Sequence, residues 1–192
     1  MDLNHEFIVN VPVADAWNIL TDLSRIAPCL PGAELTEVLG DNFRGHVKVK
    51  VGPILAQFKG QASFITRDDA THSATLKGEG RDATGKGNAS ALITAQLTAL
   101  SPTSTKCVVH TDLTISGKVA QFGRGALADV SDKLLAQFSD NLNQLIATGT
   151  TDHVSEVTPI NLLQAAGAPI LKRVIPAAVA IAVLVIVLSV IF

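Results

Sequence analysis

From Glu34 to Ser116 the chain repeats one pattern: apolar and polar residues alternate, a short polar or glycine-containing break follows, and the alternation resumes. A period of two marks a strand with one buried face. The segments are Glu34–Leu39, Asn42–Val51, Ile54–Thr66, Thr71–Ala83, Gly87–Leu100 and Thr103–Ser116. Gly40-Asp41-Asn42, Gly52-Pro53, Asp68-Asp69 and Ser101-Pro102-Thr103 supply turns between them. An N-terminal stretch with Leu3, His5, Phe7, Val9 and Val11 on one side brings the number of strands to seven, mostly connected as a meander. Tight connections of this kind join antiparallel neighbours.

Two helical regions interrupt or follow this sheet. Pro12 opens a short helix, Val13 to Thr21, with Trp17 and Leu20 three apart on one face, and Ser24 begins a second turn that Pro28 and Pro31-Gly32 break up. After Gly117 the period changes. Val130, Leu134, Phe138, Leu142 and Leu145 form an apolar stripe, and Val119 to about Thr148 reads as one long helix ending at Gly149. A curved antiparallel seven-stranded sheet around a long C-terminal helix, with two short helices after the first strand, is an α+β helix-grip arrangement.

Alternation also assigns the faces. Phe58, Ala62 and Phe64 oppose Lys59, Gln61 and Ser63, and Ala89, Ala91, Ile93, Ala95 and Leu97 oppose Asn88, Ser90, Thr94 and Gln96. Cys107, Val109, Leu113 and Ile115 oppose His110, Asp112, Thr114 and Ser116. The inner face thus mixes large apolar side chains with many alanines, and the chain has no tyrosine. Such an interior is either an apolar cavity for a greasy ligand or simply a small core.

The last stretch, Val174 to Phe192, carries no charge and follows Lys172-Arg173. As a helix it would span roughly 28 Å, close to the ~30 Å of a hydrocarbon core, and it has no polar stripe. The expected organisation is a domain over 1–149, a flexible linker over 150–173 and a C-terminal transmembrane anchor over 174–192. The N-terminus has neither a basic segment nor an apolar run of the signal-peptide kind. The domain is therefore expected on the cytoplasmic side of the cytoplasmic membrane, with a single-pass anchor.

Net charge is −2, and no basic stripe exists to neutralise phosphates, so nucleic acid is not expected as a partner. Five histidines, at 5, 46, 72, 110 and 153, show no ligand spacing, and the two cysteines, Cys29 and Cys107, are far apart, so no metal site is expected. Gly80 to Lys86 nearly spells a phosphate-binding loop, but Gly87 stands where a Ser or Thr is needed and strands flank it, which makes it a hairpin turn. His110 and Asp112 share a polar face with no nucleophile beside them. No catalytic residue is assigned, and an enzyme is not expected.

Two stretches carry a family resemblance: Trp17-Asn-Ile-Leu-Thr-Asp22 running on to Cys29-Leu-Pro-Gly-Ala-Glu34, and Lys50-Val-Gly-Pro53 together with Gly117-Lys-Val-Ala-Gln-Phe-Gly123. Over about residues 1–148 the chain resembles the CoxG proteins of carbon monoxide dehydrogenase, a branch of the START-like (SRPBCC) superfamily. The resemblance implies a helix-grip fold with an apolar cavity, and an accessory role beside a molybdenum carbon monoxide dehydrogenase or a related molybdenum hydroxylase. Joined to the anchor, it implies a membrane-tethered carrier of a lipid-soluble ligand. That carrier would take a respiratory quinone, menaquinone or ubiquinone, from the membrane pool to the enzyme and so couple its chemistry to electron transport. The expected cavity lining is Phe7, Leu30, Phe58, Phe64, Ile93, Leu97, Val109, Phe122, Leu127, Val130 and Leu134. Pro31-Gly32 and Phe122 to Gly125 are the expected frame of its mouth. The alternative is an adaptor that recruits the dehydrogenase to the membrane, or aids its maturation, and holds no ligand.

Overall fold

The computed structural model describes residues 1–51, 53–149 and 188–189. Strand β1 (Asp2–Val9) leads into helices α1 (Val13–Leu20) and α2 (Leu23–Ile26), then strands β2 (Ala33–Leu39), β3 (Asn42–Val51), β4 (Ile54–Asp68), β5 (Ser73–Asp82), β6 (Gly87–Ser101) and β7 (Ser104–Gly117). Helix α3 (Gly123–Thr148) follows, and two residues, β8 (Leu188–Ser189), pair with Gly60 of β4 and with Glu79 and Gly80 of β5. The long strands form one antiparallel sheet in the order β1-β7-β6-β5-β4-β3-β2. The meander from β2 to β7 brings β1 to the free side of β7, where Leu3 faces Thr111 and Phe7 faces Cys107.

The alternation decides which face is covered. On β7, Cys107, Val109 and Leu113 are buried while His110, Asp112 and Thr114 are exposed. Helix α3 lies against the inner face with Leu127, Val130, Leu134, Phe138 and Leu142 buried, and the Phe138 ring meets Phe7 edge-on at 5.9 Å between centroids. Leu135, outside the expected stripe, is also fully buried. Polar ties fix the C-terminal half of α3: Asn141 Nδ2 donates to Cys29 O at 2.9 Å, and Asn143 Nδ2 donates to Ile8 O at 3.0 Å.

Helix α3 starts later than its apolar pattern predicts. Residues Lys118–Phe122 form a 3-10 turn, and Gly123 sits at φ 78°, where the chain leaves that turn before the α-helix begins. The short helices follow local chemistry: Ala16 N donates to Pro12 O at 2.9 Å to open α1, and the Asp22 carboxylate accepts from Arg25 N at 3.1 Å to cap α2.

Among the described residues no helix is long and apolar enough to cross a membrane. The linker expected over 150–173 lies outside the described residues, as does the anchor expected over 174–192 apart from Leu188–Ser189.

Candidate ligand site

The inner face of the sheet is bulky at its ends and bare between them. Gly60, Gly78 and Gly80 are buried on strands β4 and β5 in phase with Phe58, Ala62 and Leu76, so the middle of the floor carries no side chains. It is at Gly60 and Gly80 that Leu188–Ser189 pair. Two enclosed apolar spaces flank this floor. One is roofed by Trp17, Leu20, Leu23 and Ile26 of α1 and α2 over Leu76, Ile93, Ala95, Leu97 and Val109. The other lies under Val119, Leu127 and Val130 against Val49, Val51, Phe58, Leu113 and Ile115.

Each space measures about 30 Å³, room for a water molecule and not for a ring. The first is not isolated, however. Thr21, Leu23 and Phe64 form walls both of it and of an open groove of about 380 Å³, whose other sides include Asn18, Asp22, Val38, Phe43 and Arg67. Phe64 stands between the two, half-buried and edge-on to Phe43 at 6.3 Å. Rotation of that one ring would join groove and cavity.

The expected lining residues divide accordingly. Phe64, Ile93, Leu97 and Val109 line the first space, and Phe58, Leu127 and Val130 line the second. Phe7, Leu30 and Leu134 are buried in the core but line neither, and Phe122 is half-buried beside the start of α3. Sequence reasoning passed over Trp17, Leu23, Ile26 and Leu76, because the roof of the first space comes from short helices whose orientation no local pattern reveals. The expected mouth also shifts. Gly32 is clamped to β3: its carbonyl accepts from Lys48 N at 2.9 Å, its φ is 80°, and a Cβ there would collide with the Lys48 carbonyl. Its glycine serves close approach of two backbones, and the open groove lies instead at Phe64.

A clasp holds the roof. Trp17 Nε1 donates to the Asp69 carboxylate at 2.7 Å, Arg67 Nε donates to the same oxygen at 3.1 Å, and the Arg67 guanidinium lies 5.9 Å from the Trp17 ring. The hydrogen bond from Trp17, then that from Arg67, holds the Asp69 carboxyl below its ordinary range. At the far end, Asp82 organises the turn between β5 and β6. Its carboxylate accepts from Gln57 N at 2.8 Å, Thr84 N at 2.9 Å, Thr84 Oγ1 at 2.5 Å and Lys86 N at 3.0 Å. Burial pushes its pKa up, but these hydrogen bonds outweigh burial and hold it below the ordinary value. The stretch that nearly spells a phosphate loop is therefore a hairpin turn built around a carboxylate, a poor host for an anion.

The polar groups outside the interior have structural partners. His110 Nδ1 lies 2.7 Å from Asn4 Oδ1, and Asp112 pairs with the N-terminal ammonium at 3.6 Å. Burial pushes the Cys29 thiol up to about 11, against a smaller opposing pull from Arg25, and burial raises Cys107 as well, so neither is a thiolate nucleophile at neutral pH. Among the described residues no three His, Cys, Asp or Glu side chains converge as a metal site.

The pattern of the CoxG family, described as the G component of carbon monoxide dehydrogenase, matches residues 6–147. No protein of curated function matches the chain. Among solved structures, a conserved protein from Geobacillus kaustophilus superposes with a TM-score of 0.70 at 19% identity, covering 78% of this chain and 97% of that one. The Zhui aromatase/cyclase from Streptomyces sp. R1128 gives a TM-score of 0.54 at 14% identity, over 78% and 97% of the two chains. Truncated norcoclaurine synthase from Thalictrum flavum gives 0.53 at 18% identity, over 77% and 94%. At these identities the likeness is one of fold, and the fold is the helix-grip of START-like proteins.

Proposed function

The chain belongs to the CoxG family of carbon monoxide dehydrogenase, and from that premise we propose that it is a non-catalytic carrier of a lipid-soluble ligand, a respiratory quinone such as menaquinone. It would carry that quinone between the membrane and a molybdenum carbon monoxide dehydrogenase or related hydroxylase. One observation carries this reading: the interior keeps two enclosed apolar spaces and a side-chain-free floor between them, with a groove separated from the first space by a single aromatic ring. Electrons released by such a dehydrogenase must reach quinones that barely dissolve in water. A domain that buries the quinone between sheet and helix removes apolar area from water at about 25 cal/mol per Å². The apolar run over 174–192, read as an anchor, would keep that domain at the bilayer surface where quinone is found.

The second reading, a membrane adaptor with an unoccupied interior, has its own support in the size of the two spaces, about 30 Å³ each. The carrier therefore requires Phe64 to swing and the roof of α1 and α2 to rise when ligand enters. The deciding measurement is organic extraction of the purified full chain followed by mass spectrometry and a redox difference spectrum. The carrier predicts one quinone per chain, lost in Ala95→Phe, which fills the wall of the first space. A wild-type chain that is empty, and that takes up no added quinone, overturns the carrier in favour of the adaptor.

A further inference from the structure

Two buried polar atoms in the described interior have no hydrogen-bond partner: His5 Nδ1 and Thr111 Oγ1. They are neighbours. Leu3 pairs with Thr111 and His5 with Val109 across β1 and β7, so both side chains point to the inner face as a diagonal pair, with Cβ atoms under about 7–8 Å apart. Thr111 is fully buried. It sits on β7 between Val109, which lines the first apolar space, and Leu113, which lines the second. The interior thus has an apolar end, a polar waist and a second apolar end. Buried polar groups are nearly always satisfied, and an orphaned pair in an otherwise apolar chamber calls for a missing partner.

The chemistry of that partner follows from the far side of the imidazole. His5 Nε2 lies 3.1 Å from the Asp132 carboxylate on α3. A carboxylate only accepts, so Nε2 carries the proton and Nδ1 presents a bare lone pair. Burial, opposed by the nearby Asp132 charge, holds the His5 pKa below its ordinary value, which keeps the ring neutral and Nδ1 an acceptor at neutral pH. The Thr111 hydroxyl can either donate or accept. A ligand hydroxyl satisfies both at once, donating to His5 Nδ1 and accepting from Thr111 Oγ1. A carbonyl satisfies only Thr111. A groove of about 930 Å³ between β1 and α3, walled by Leu3, His5, Ala128 and Asp132, brings solvent to the other side of His5.

We propose that His5 and Thr111 form a hydroxyl-recognition point in the middle of the cavity, with Asp132 as the positioning residue that fixes the His5 tautomer. This rests on the carrier reading and deepens it: of the two redox forms of a quinone, the hydroxylated quinol is the one the cavity holds more tightly. The acceptor site discriminates because a hydroxyl-free ligand leaves a buried polar atom unpaired, whereas an apolar wall would not distinguish the two so sharply.

The test titrates the full chain by calorimetry with 1-naphthol and with its methyl ether, which can accept a hydrogen bond but not donate one. Wild type is expected to favour the naphthol by about tenfold, the usual scale for one hydrogen bond to a buried group. His5→Phe and the isosteric Thr111→Val should each lose most of that preference while binding the ether within twofold of wild type. In addition, the ¹⁵N resonance of His5 Nδ1 should move on adding naphthol and stay in place with the ether. Equal ratios in wild type and both variants overturn the recognition point and leave the carrier standing. Failure of the wild type to bind either probe overturns both.

Discussion

The two ends of the interior are closed in different ways. At the first end the roof is α1 and α2, short helices secured from outside by the Trp17–Asp69–Arg67 clasp, above a wall of β5, β6 and β7 residues locked in the middle of the sheet. At the second end the roof is the first turns of α3 and the 3-10 turn before it, held by apolar contact through Val119, Leu127 and Val130. There Gly123 and Gly125 have open space around them, and the nearest polar support is the Asp82 turn in the floor. A polar clasp across a mouth can open and reclose in one geometry. An apolar lid on a glycine-containing start can shift by degrees. The first suits entry of a ligand, and the second suits accommodation of its length.

Matched truncations sharpen that contrast. Leu97 of β6 lies in the first end and Leu127 of α3 in the second, and both are buried. Leu97→Ala leaves a cavity that a central strand cannot close, with an expected cost of about 4 kcal/mol, whereas Leu127→Ala lets the first turns of α3 settle and should cost about 2 kcal/mol. Equilibrium denaturant unfolding of both variants measures this. Equal costs would mean that the second end is as rigid as the first and would remove the distinction.

The same contrast separates what was legible in the sequence from what was not. The period-two pattern placed the inner faces of β4, β6 and β7 correctly, since a strand's geometry leaves no other choice once one face is buried. It also gave β3 its observed bounds, Asn42–Val51. The long helix was expected from Val119 and begins at Gly123, because apolar spacing says nothing about a glycine turning to positive φ. Trp17 and Asp69 are 52 residues apart, and only the curl of the sheet brings the β4–β5 hairpin over α1. Thr111 was hidden for another reason: one hydroxyl at an inward position among Val109, Leu113 and Ile115 looks like an interruption of the pattern until its lack of a partner is seen. How far the interior is filled was the question the residues left open, and the answer depends on where the roof sits rather than on which side chains point inward.

Asp82 tests whether the floor of the second end needs its polar support. Asp82→Ala leaves the amides of Gln57, Thr84 and Lys86 without their acceptor, and about 2 kcal/mol of stability should go with them. The pH dependence has a definite sign. The folded-state pKa lies below the ordinary 3.8, so this contribution is fully present above the unfolded value and is lost as pH falls through the lower, folded one. Wild type should therefore lose stability more steeply than Asp82→Ala in acid below about pH 4. Parallel acid unfolding curves would remove Asp82 as the support of that turn.

The smallest expected effect bears most directly on entry. Asp69 is an exposed carboxylate whose neighbours are the Trp17 indole N–H and the Arg67 guanidinium, so its removal changes global stability little. Its work is local: it ties the β4–β5 hairpin to α1 over the groove beside Phe64. Asp69→Ala should therefore raise amide exchange severalfold in α1 and α2 while leaving exchange in α3 and the central strands as it was. The carrier adds a kinetic consequence, faster quinone uptake and release at nearly unchanged affinity, because the clasp would be broken equally in the empty and loaded states once the roof recloses. Exchange that rises in α3 instead of α1 would place the opening at the second end and invert the comparison.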